Sequence, residues 1–243
     1  MRSHETGGSG PTFHEVLHGL RVWDTELPSF DPGAAPASPL PLFHAWFVAA
    51  AAAGQPEPHT MTLATVDSQG RPDLRTLMLH DADARGWHFA SHATSAKGRQ
   101  LAARPEAALH FYWPAQGRQV RLRGAVHACD RQESRATLTV RGTGALAAAL
   151  TGHQSEALGS VAELAQAADA AWARAERDPQ APVPSWVRYV LDPREVEFFQ
   201  GDARRRHVRL RYHRQDGAGQ GPDGGPAAGG DGEPVWLREL LWP

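Results

Sequence analysis

The sequence predicts an α+β fold, a barrel of mainly antiparallel strands with helices set between and beside them. Two observations support this prediction. Strand-like segments follow one another as hairpins after Pro58 and return near the C-terminus, without the regular alternation of strand and helix that builds a doubly wound sheet. The chain of 243 residues, with 41% apolar residues, is long enough for one domain with a sizeable core.

The first strands are predicted from a hairpin. Residues 59–67 and 74–80 are rich in Thr, Leu and Met, and the turn-forming residues 68–70 lie between them. A polar turn at 81–86 then leads into a short strand at 87–91. These segments are expected to form one antiparallel unit.

The clearest single strand covers residues 119–127. Val120, Leu122 and Val126 alternate there with polar side chains, which indicates one buried and one charged face. The remaining predicted strands are 186–192, 195–201, 206–214 and 235–240.

Helices are predicted where alanine-rich segments have caps or clear ends. Thr94 or Ser95 is suited to cap a helix that runs through Leu101 and stops before Pro105. An alanine-rich helix is predicted at 45–53 and ends at Gly54. The other predicted helices are 130–141 and 156–177.

The domain organisation follows from composition. Gly, Pro and Asp dominate two segments that have almost nothing to bury, so both are expected to be mobile. The predicted parts are a disordered tail at 1–10, a helical lead-in at 11–57, a barrel domain at 58–214 and 235–243, and a disordered loop at 215–234.

Charge and cysteine content limit the function classes. The formal net charge is −2 and the pI is about 6.7, so no basic field for nucleic acid is predicted. Cys129 is the only cysteine and cannot form an internal disulfide, and the N-terminus lacks a secretory pattern. The apolar run at 45–53 is too short to cross a bilayer. A cytoplasmic protein without membrane partners is the expectation.

The segment His14-Glu15-Val16-Leu17-His18 matches HExxH, in which two histidines hold zinc and the glutamate acts as a base. A chance match is preferred for two reasons. The segment has barely one helical turn before Gly19, and a catalytic zinc needs a third ligand in a dry cleft. We therefore predict no metal site.

Residues 91–100 (SHATSAKGRQ) follow a strand and begin a helix. Backbone N–H groups at the helix start, the hydroxyls of Ser91 and Ser95, and the ammonium of Lys97, the only lysine, suit a phosphate dianion. A simple helix cap is the alternative for this segment alone. Arg75 favours the anion site, since it lies in an otherwise apolar strand where an unpaired buried charge is costly.

The basic run at 204–209 (RRRHVR) predicts a strand on which Arg205, His207 and Arg209 share one face by the two-residue period. Basic side chains on one face repel each other unless an anion or an aromatic ring lies between them. A solvated face or a nucleic-acid contact is the preferred interpretation of this run by itself.

Taken together, these segments resemble the pyridoxamine 5′-phosphate oxidase family. Its motifs appear here in the family's order: ATVDSQGRPDLRTLML, FASHATSAKGRQL, GRQVRLRGAV, HQS, and EVEFFQG followed by RRRHVRLRY. The resemblance covers about residues 40–214 and 235–243. It implies a homodimer of split β-barrels that binds FMN at the subunit interface.

The resemblance also implies roles for single residues. Arg75 and Lys97 match contacts to the FMN phosphate, Gln119 and Arg209 match contacts to the flavin ring, and Gln154 with Ser155 matches a pair from the other subunit. The implied FMN contacts are Arg75, Thr76, Leu77, Met78, Ser91, Lys97, Gln119, Gln154, Ser155, Phe199 and Arg209.

Three positions depart from the family pattern on the cofactor side. Ala96 replaces a usual basic residue, Ala90 replaces a usual aromatic, and Phe199 stands where Trp is common. Loss of one charge-assisted hydrogen bond costs roughly 1.5–3 kcal/mol, or about one to two decades of affinity. FMN binding is therefore expected to be weaker but to persist.

The substrate side departs further. Of the four family positions that bind the substrate's phosphate, Arg141 alone is kept, whereas Lys, Tyr and Ser are replaced by His80, Thr137 and Ala145. The positions over the substrate ring are retained and are the implied catalytic pair. The implied substrate contacts are His80, Thr137, Arg141, Ala145, Arg205 and His207.

The implied activity is that of an FMN-dependent oxidase. A hydride passes from a substrate carbon to flavin N5, and dioxygen then reoxidises the flavin with release of hydrogen peroxide. The relaxed phosphate clamp predicts that pyridoxamine 5′-phosphate is a poor substrate, although His80 and Thr137 retain hydrogen-bond donors. The alternatives are a phenazine-type oxidase of a dihydro-aromatic acid, a non-catalytic flavin- or heme-binding barrel, and the disfavoured zinc peptidase.

Overall fold

The structure, a computed structural model, describes residues 10–23, 26–139, 142–215 and 234–243. Within these ranges one curled antiparallel sheet of nine strands forms the body of the fold. The strands are β1 (Thr60–Val66), β2 (Pro72–Met78), β3 (Asp81–Asp83), β4 (Gly86–His92), β5 (Glu106–Trp113), β6 (Arg118–Ala128), β7 (Trp186–Gln200), β8 (Val208–Arg214) and β9 (Trp236–Leu241).

Six α-helices flank the sheet in the described ranges. They are α1 (Phe13–Gly19), α2 (Pro39–Ala52), α3 (Ala96–Ala103), α4 (Arg131–Thr139), α5 (Gly142–Thr151) and α6 (Val161–Arg177). None of these helices is long and apolar enough to cross a membrane.

The sheet is curled, and the strands at the two ends of its main path, β2 and β3, are neighbours in the chain. The strand order is β2-β1-β5-β6-β7-β4-β3, and β8 and β9 extend from β7. Leu79 and His80 join β2 to β3, and the backbone N–H of His80 donates to the carbonyl of His88 on β4 at 2.8 Å. The result is the split-barrel fold that the sequence predicts.

The hydrophobic core fills the barrel, and α2 contributes large aromatic side chains to it. Phe43 contacts the rings of Trp87 and Phe111 at centroid distances of 5.2 and 5.1 Å, and Trp46 contacts Phe198 at 5.2 Å. Each large side chain buried in this way contributes roughly 1.5–3 kcal/mol. A second, smaller apolar cluster joins α4, α5 and α6.

Several predicted elements are confirmed. The hairpin of β1 and β2 pairs in full register from Thr60 opposite Met78 to Val66 opposite Pro72. Strand β6 alternates between buried and exposed side chains as expected. Helix α3 begins after Ser95, whose hydroxyl caps the N–H of Gly98 at 3.2 Å.

Other predictions were wrong. The sequence reading missed strand β5, and the two strands predicted at 186–192 and 195–201 are one continuous strand, β7. Pro193 is tolerated there because it lies opposite an irregularity between Arg123 and Gly124, where a proline needs no ladder hydrogen bond. Gly124 is required because a Cβ would collide with the carbonyl oxygen of Asp192.

The helical predictions also need correction. The alanine-rich helix starts earlier, at Pro39, and the helix predicted at 156–177 starts later, at Val161 after the Ser160 cap. The helix predicted at 130–141 is described over Arg131–Thr139, and the sequence reading missed α5. The predicted mobile segments at 1–10 and 215–234 lie almost entirely outside the described residues.

Candidate functional site

The start of α3 and the strand β2 together form a positively charged cradle. Arg75 lies on β2 with its side chain only 16% exposed. Its guanidinium donates to the carboxylate of Asp73 and the hydroxyl of Thr65, both at 2.5 Å, and to Gln100 of α3 at 3.1 Å. The buried arginine therefore has the anionic partner that its sequence position requires.

Lys97, in the first turn of α3, is the second cation of the cradle. Within the described part of the chain its side chain makes no ion pair or hydrogen bond. Burial and the nearby charge of Arg75 lower the pKa of Lys97, and Asp73 opposes this only in part. The cradle holds two cations and one carboxylate, so it carries a surplus positive charge suited to an anion.

The segment before α6, residues 153–155, contacts the start of α3 and so lies beside the cradle. The hydroxyl of Ser155 accepts the backbone N–H of Ala96 at 3.1 Å, and the side-chain oxygen of Gln154 is buried without a partner among the described residues. His153 and Ser155 have φ of 61° and 70°, a strained backbone region for such residues. The resemblance assigns Gln154 and Ser155 to the partner's site, whereas Ser155 already contacts α3 of its own chain.

Ser91 lies beside this cradle at the end of β4. Its residue is 6% exposed, and its hydroxyl oxygen is 3.4 Å from that of Ser95. The Ser95 hydroxyl donates to the carbonyl of His92 at 2.7 Å. Ser91 therefore belongs to the polar network at the α3 start.

A groove of about 310 Å³ on the outer face of the sheet is the second part of the site. It brings together Gln119, Phe199 and Arg209, which the sequence analysis placed at the flavin. The full lining is His110, Gln119, Arg121, Glu197, Phe199, Arg209 and Pro243.

Glu197 organises the charges of this groove. Its side chain is 8% exposed and pairs with Arg209 at 2.8 Å and with Arg121 on the opposite side. Burial acts to raise the pKa of Glu197, but the hydrogen bond from Arg209 and the charge of Arg121 outweigh burial and lower it. Arg209 also donates to the carbonyl of Trp242 at 2.8 Å, which fixes its direction.

The strand β2 presents different residues to its two sides. Thr76 and Met78 are exposed, while Arg75 and Leu77 point the other way, since they pair with the buried Leu63 and Met61. Thr76 is linked through directly paired residues on β1, β5 and β6 to the groove, so it shares the groove's face. The cradle and the groove of one chain therefore lie on opposite faces of the sheet.

The prediction that Arg205, His207 and Arg209 share one strand face was wrong. Strand β8 begins only at Val208, and Arg205 lies in a turn with φ of 64°. The reason is local, because the preceding Asp202 accepts hydrogen bonds from the backbone N–H groups of its followers and closes a turn. His207 still lies beside the groove residue Phe199, with their ring centroids 5.1 Å apart.

The predicted substrate residues lie apart from the groove of the same chain. The Thr137 hydroxyl on α4 donates to the carbonyl of Ser134 at 2.7 Å and accepts the indole N–H of Trp186 at 2.9 Å. Ala145 is half-buried on α5, and His80 lies in the link between β2 and β3. Arg141 lies outside the described residues.

The HExxH segment forms α1, where Glu15 has a structural role. Its carboxylate accepts the backbone N–H and the hydroxyl of Thr12 at 2.8 and 2.9 Å, which completes a capping box. In the described ranges no three His, Cys, Asp or Glu side chains cluster as metal ligands would.

Two family models match most of this chain, including the cradle and the groove. Residues 47–175 match the family model for pyridoxamine 5′-phosphate oxidase, and residues 186–243 match the model for the pyridoxine 5′-phosphate oxidase C-terminal dimerisation region. This chain belongs to the pyridoxamine 5′-phosphate oxidase family. The family is one of oxidoreductases, and its cofactor is FMN.

Relatives agree with this membership. The pyridoxine/pyridoxamine 5′-phosphate oxidase of Pseudomonas paraeruginosa is 41% identical over 86% of this chain and 90% of its own length. That of a Pseudomonas fluorescens strain is 44% identical with the same coverage. PhzG from Burkholderia lata, solved with tetrahydrophenazine-1-carboxylic acid, matches 90% of this chain and 98% of its own at 29% identity and a TM-score of 0.75.

The residues present fit an FMN phosphate. Lys97 lies in the first turn of α3 beside Arg75, and the surplus positive charge there suits a phosphate dianion at the helix N-terminus. A phosphate would supply the carboxylate-like partner that Lys97 lacks among the described residues.

Sequence reasoning missed four residues of the site: Trp23, Asp73, Glu197 and Asp202. Two of them had a readable signal. Asp73 precedes Arg75 by two residues, which places both on one strand face, and Glu197 alternates with apolar residues between arginine-rich strands. Trp23 reaches the site through tertiary contacts, which no local pattern indicates, whereas Asp202 acts within the local turn that it closes with Arg204 and Arg206.

Proposed function

We propose that this protein is an FMN-dependent oxidase that works as a homodimer and acts on a small reduced heteroaromatic substrate. The observation that carries the proposal is the pair of complementary half-sites, the cationic cradle at α3 and the groove around Arg209. Bound FMN supplies a hydride acceptor at N5 and the subsequent reaction with dioxygen to hydrogen peroxide.

The dimer follows from the placement of the half-sites. Because the cradle and the groove of one chain lie on opposite faces, a cofactor held by one chain's cradle takes its ring contacts from another chain's groove. The match to a dimerisation region over the strands β7 to β9 supports this arrangement.

The chain's own residues have separable tasks in this proposal. Lys97 and Arg75 hold the phosphate, and Gln119 and Arg209 direct donors at the polar edge of the ring system. Arg209 is held in direction by Glu197, so its positive charge stays beside the ring where negative charge develops on reduction. Thr76 and Met78 flank the ring from β2.

Arg205 and His207 are the proposed substrate residues. The turn that carries them follows β7 directly, next to Phe199 of the groove. Both contribute by holding the substrate over the ring and excluding water rather than by covalent chemistry.

The substrate class is a pyridoxine or pyridoxamine 5′-phosphate, as the names of the relatives suggest, or a dihydro-aromatic acid of the kind bound to PhzG. One observation favours the second. The Thr137 hydroxyl, at a position of the family's phosphate clamp, is already bonded to Ser134 and Trp186 and has no further proton to donate. We therefore propose that the phosphorylated vitamers turn over slowly.

The test uses the purified protein. We expect a yellow protein with an FMN spectrum and a mass twice the 26.3 kDa of the chain. Anaerobic mixing with pyridoxine 5′-phosphate, pyridoxamine 5′-phosphate and a tetrahydrophenazine carboxylic acid then identifies the compound that bleaches the flavin. Admission of air must restore the colour and release hydrogen peroxide. A colourless monomer that stays so with excess FMN contradicts the proposal.

A further inference from the structure

The loop between β7 and β8, residues 201–207, carries both proposed substrate residues and is organised around Asp202. The Asp202 carboxylate accepts the backbone N–H of Arg204 at 2.7 Å and that of Arg206 at 3.4 Å. The Asp202 carbonyl accepts the N–H of Arg205 at 2.9 Å. These bonds hold Arg205 in its left-handed conformation, φ 64°, which a side-chain-bearing residue adopts rarely.

The same turn fixes the hydrogen position on His207. The backbone N–H of Asp202 donates to Nδ1 of His207 at 3.1 Å. A ring nitrogen that accepts a hydrogen bond carries no hydrogen, so the neutral imidazole has its N–H at Nε2. His207 therefore presents a donor on the side away from the loop.

Trp23, from the segment between α1 and α2, fixes the plane of the same ring. Its indole meets the His207 ring edge-on at 5.3 Å, and Phe199 lies 5.1 Å from that ring. The indole sits over Gly201, where a Cβ would come within 2.8 Å of it. The N–H of Gly201 donates to the carbonyl of Gly117 at 2.7 Å, so the backbone against which Trp23 packs is fixed in position.

We infer that Trp23 and Asp202 are positioning residues for His207, and that together they set its ring plane and its Nε2 donor for the substrate. This inference rests on the proposed function, because His207 is placed at the substrate there. Trp23 also lies 6.4 Å from the ring of Phe199 in the groove, but neither Trp23 nor Asp202 belongs to the cradle, so we expect the FMN phosphate to bind without them. The N-terminal segment is thus part of the substrate site through a single indole.

The kinetic test compares Trp23→Ala, Trp23→Phe and the matched control Val22→Ala, which removes an exposed neighbour on the same segment. We expect Trp23→Ala to lower kcat/KM by roughly tenfold to a hundredfold, as misplacement of a site group does. Trp23→Phe should restore most of the activity, and Val22→Ala should match wild type. FMN content should stay unchanged in all three.

A double-mutant cycle separates positioning from general structural damage. In a His207→Ala background, Trp23→Ala should cause little further loss, because its effect passes through the missing ring. Equal losses with and without His207 would overturn the inference. Gly201→Ala offers an independent route to the same result by displacing the indole, with Gly19→Ala, whose Cβ position is open, as its control.

A second measurement does not depend on turnover. In ¹⁵N-labelled holoprotein at mildly alkaline pH, two-bond ¹⁵N–¹H correlations report the tautomer of His207, identified by its loss in His207→Ala. We expect the Nε2–H form in wild type and in Asp202→Asn, which keeps an acceptor oxygen. Asp202→Ala should give a mixture of tautomers.

The two measurements keep the inference and the proposed function apart. If no probe substrate bleaches the flavin but the tautomer follows Asp202 as described, the oxidase proposal fails and the positioning of His207 stands. If wild type turns over substrate while Asp202→Ala retains a pure Nε2–H tautomer and Trp23→Ala full activity, the positioning inference fails alone.

Discussion

The cradle at α3 and the groove on the outer sheet face are both rich in basic side chains, yet their charges are balanced differently. In the groove, Arg209 and Arg121 share the buried carboxylate of Glu197. In the cradle, Asp73 forms an ion pair with Arg75, whereas Lys97 makes no ion pair within the described ranges. Pairing within the chain holds an arginine in one direction, whereas a buried cation without a partner indicates the place of an anionic ligand.

The strongest expected effect comes from emptying the cradle. Lys97→Ala combined with Arg75→Ala removes two charge-assisted contacts of roughly 1.5–3 kcal/mol each, so FMN affinity should fall by about two to four decades. The measurement is FMN per chain after desalting, followed by fluorescence titration. Arg71→Ala, an exposed arginine paired with Asp67 on the same hairpin, is the control. Retention of full FMN by the double variant would refute the phosphate assignment.

Breaking the balance of the groove should have the next largest effect. Glu197→Gln leaves Arg209 beside Arg121 without a carboxylate. Loss of a buried partner costs about 3–5 kcal/mol. Because both arginines are partly exposed, we expect a loss of about 1–3 kcal/mol in unfolding free energy. Glu195→Gln, at the equivalent place two residues earlier, is the comparison in denaturant unfolding. If Glu197→Gln lowers the unfolding free energy no more than Glu195→Gln does, Glu197 does not organise the charges of the groove.

The same variant gives a pH test. Because the pKa of Glu197 is lower in the folded protein than in an unfolded chain, the ionised carboxylate adds stability at higher pH. That contribution begins to be lost as the pH falls below about 4.3, the value of an unperturbed glutamate, and disappears through the lowered folded pKa. The stability difference between wild type and Glu197→Gln should therefore shrink on acidification. A constant difference from pH 7 to the acid transition would contradict this.

Restoring the substrate clamp should have a smaller and more selective effect. His80→Lys with Ala145→Ser returns two family donors, so kcat/KM for pyridoxamine 5′-phosphate should rise by about tenfold or more per contact. FMN content should not change. Ala148→Ser, an exposed position on the same helix α5, serves as the control. Rapid turnover of this compound by wild type would show that the clamp is already adequate.

The smallest effect is expected outside both half-sites. Glu15→Gln alters the capping box of α1 and should change only the hydrogen exchange of that helix. FMN content and oxidase activity should match wild type, and activity should survive a zinc chelator. Loss of activity with the chelator would revive the metal interpretation of HExxH.

Local sequence patterns were sufficient for the elements whose character is local. The alternation in 119–127 predicted β6, turn residues between two apolar strands predicted the hairpin of β1 and β2, and the polar residues before Lys97 predicted the start of α3. The order of the family motifs then predicted the barrel and its cofactor. Each of these depends on neighbours within a few residues or on motif order along the chain.

Tertiary structure alone decided which charges meet. Glu197 finds Arg121 and Arg209 because the registers of β6, β7 and β8 align them. Trp23 finds His207 because the N-terminal segment crosses the end of β7. Spacing along the sequence carries no information on the register between strands that are far apart in the chain. It therefore predicts which face of a strand a residue lies on, but not which residue of another strand it contacts.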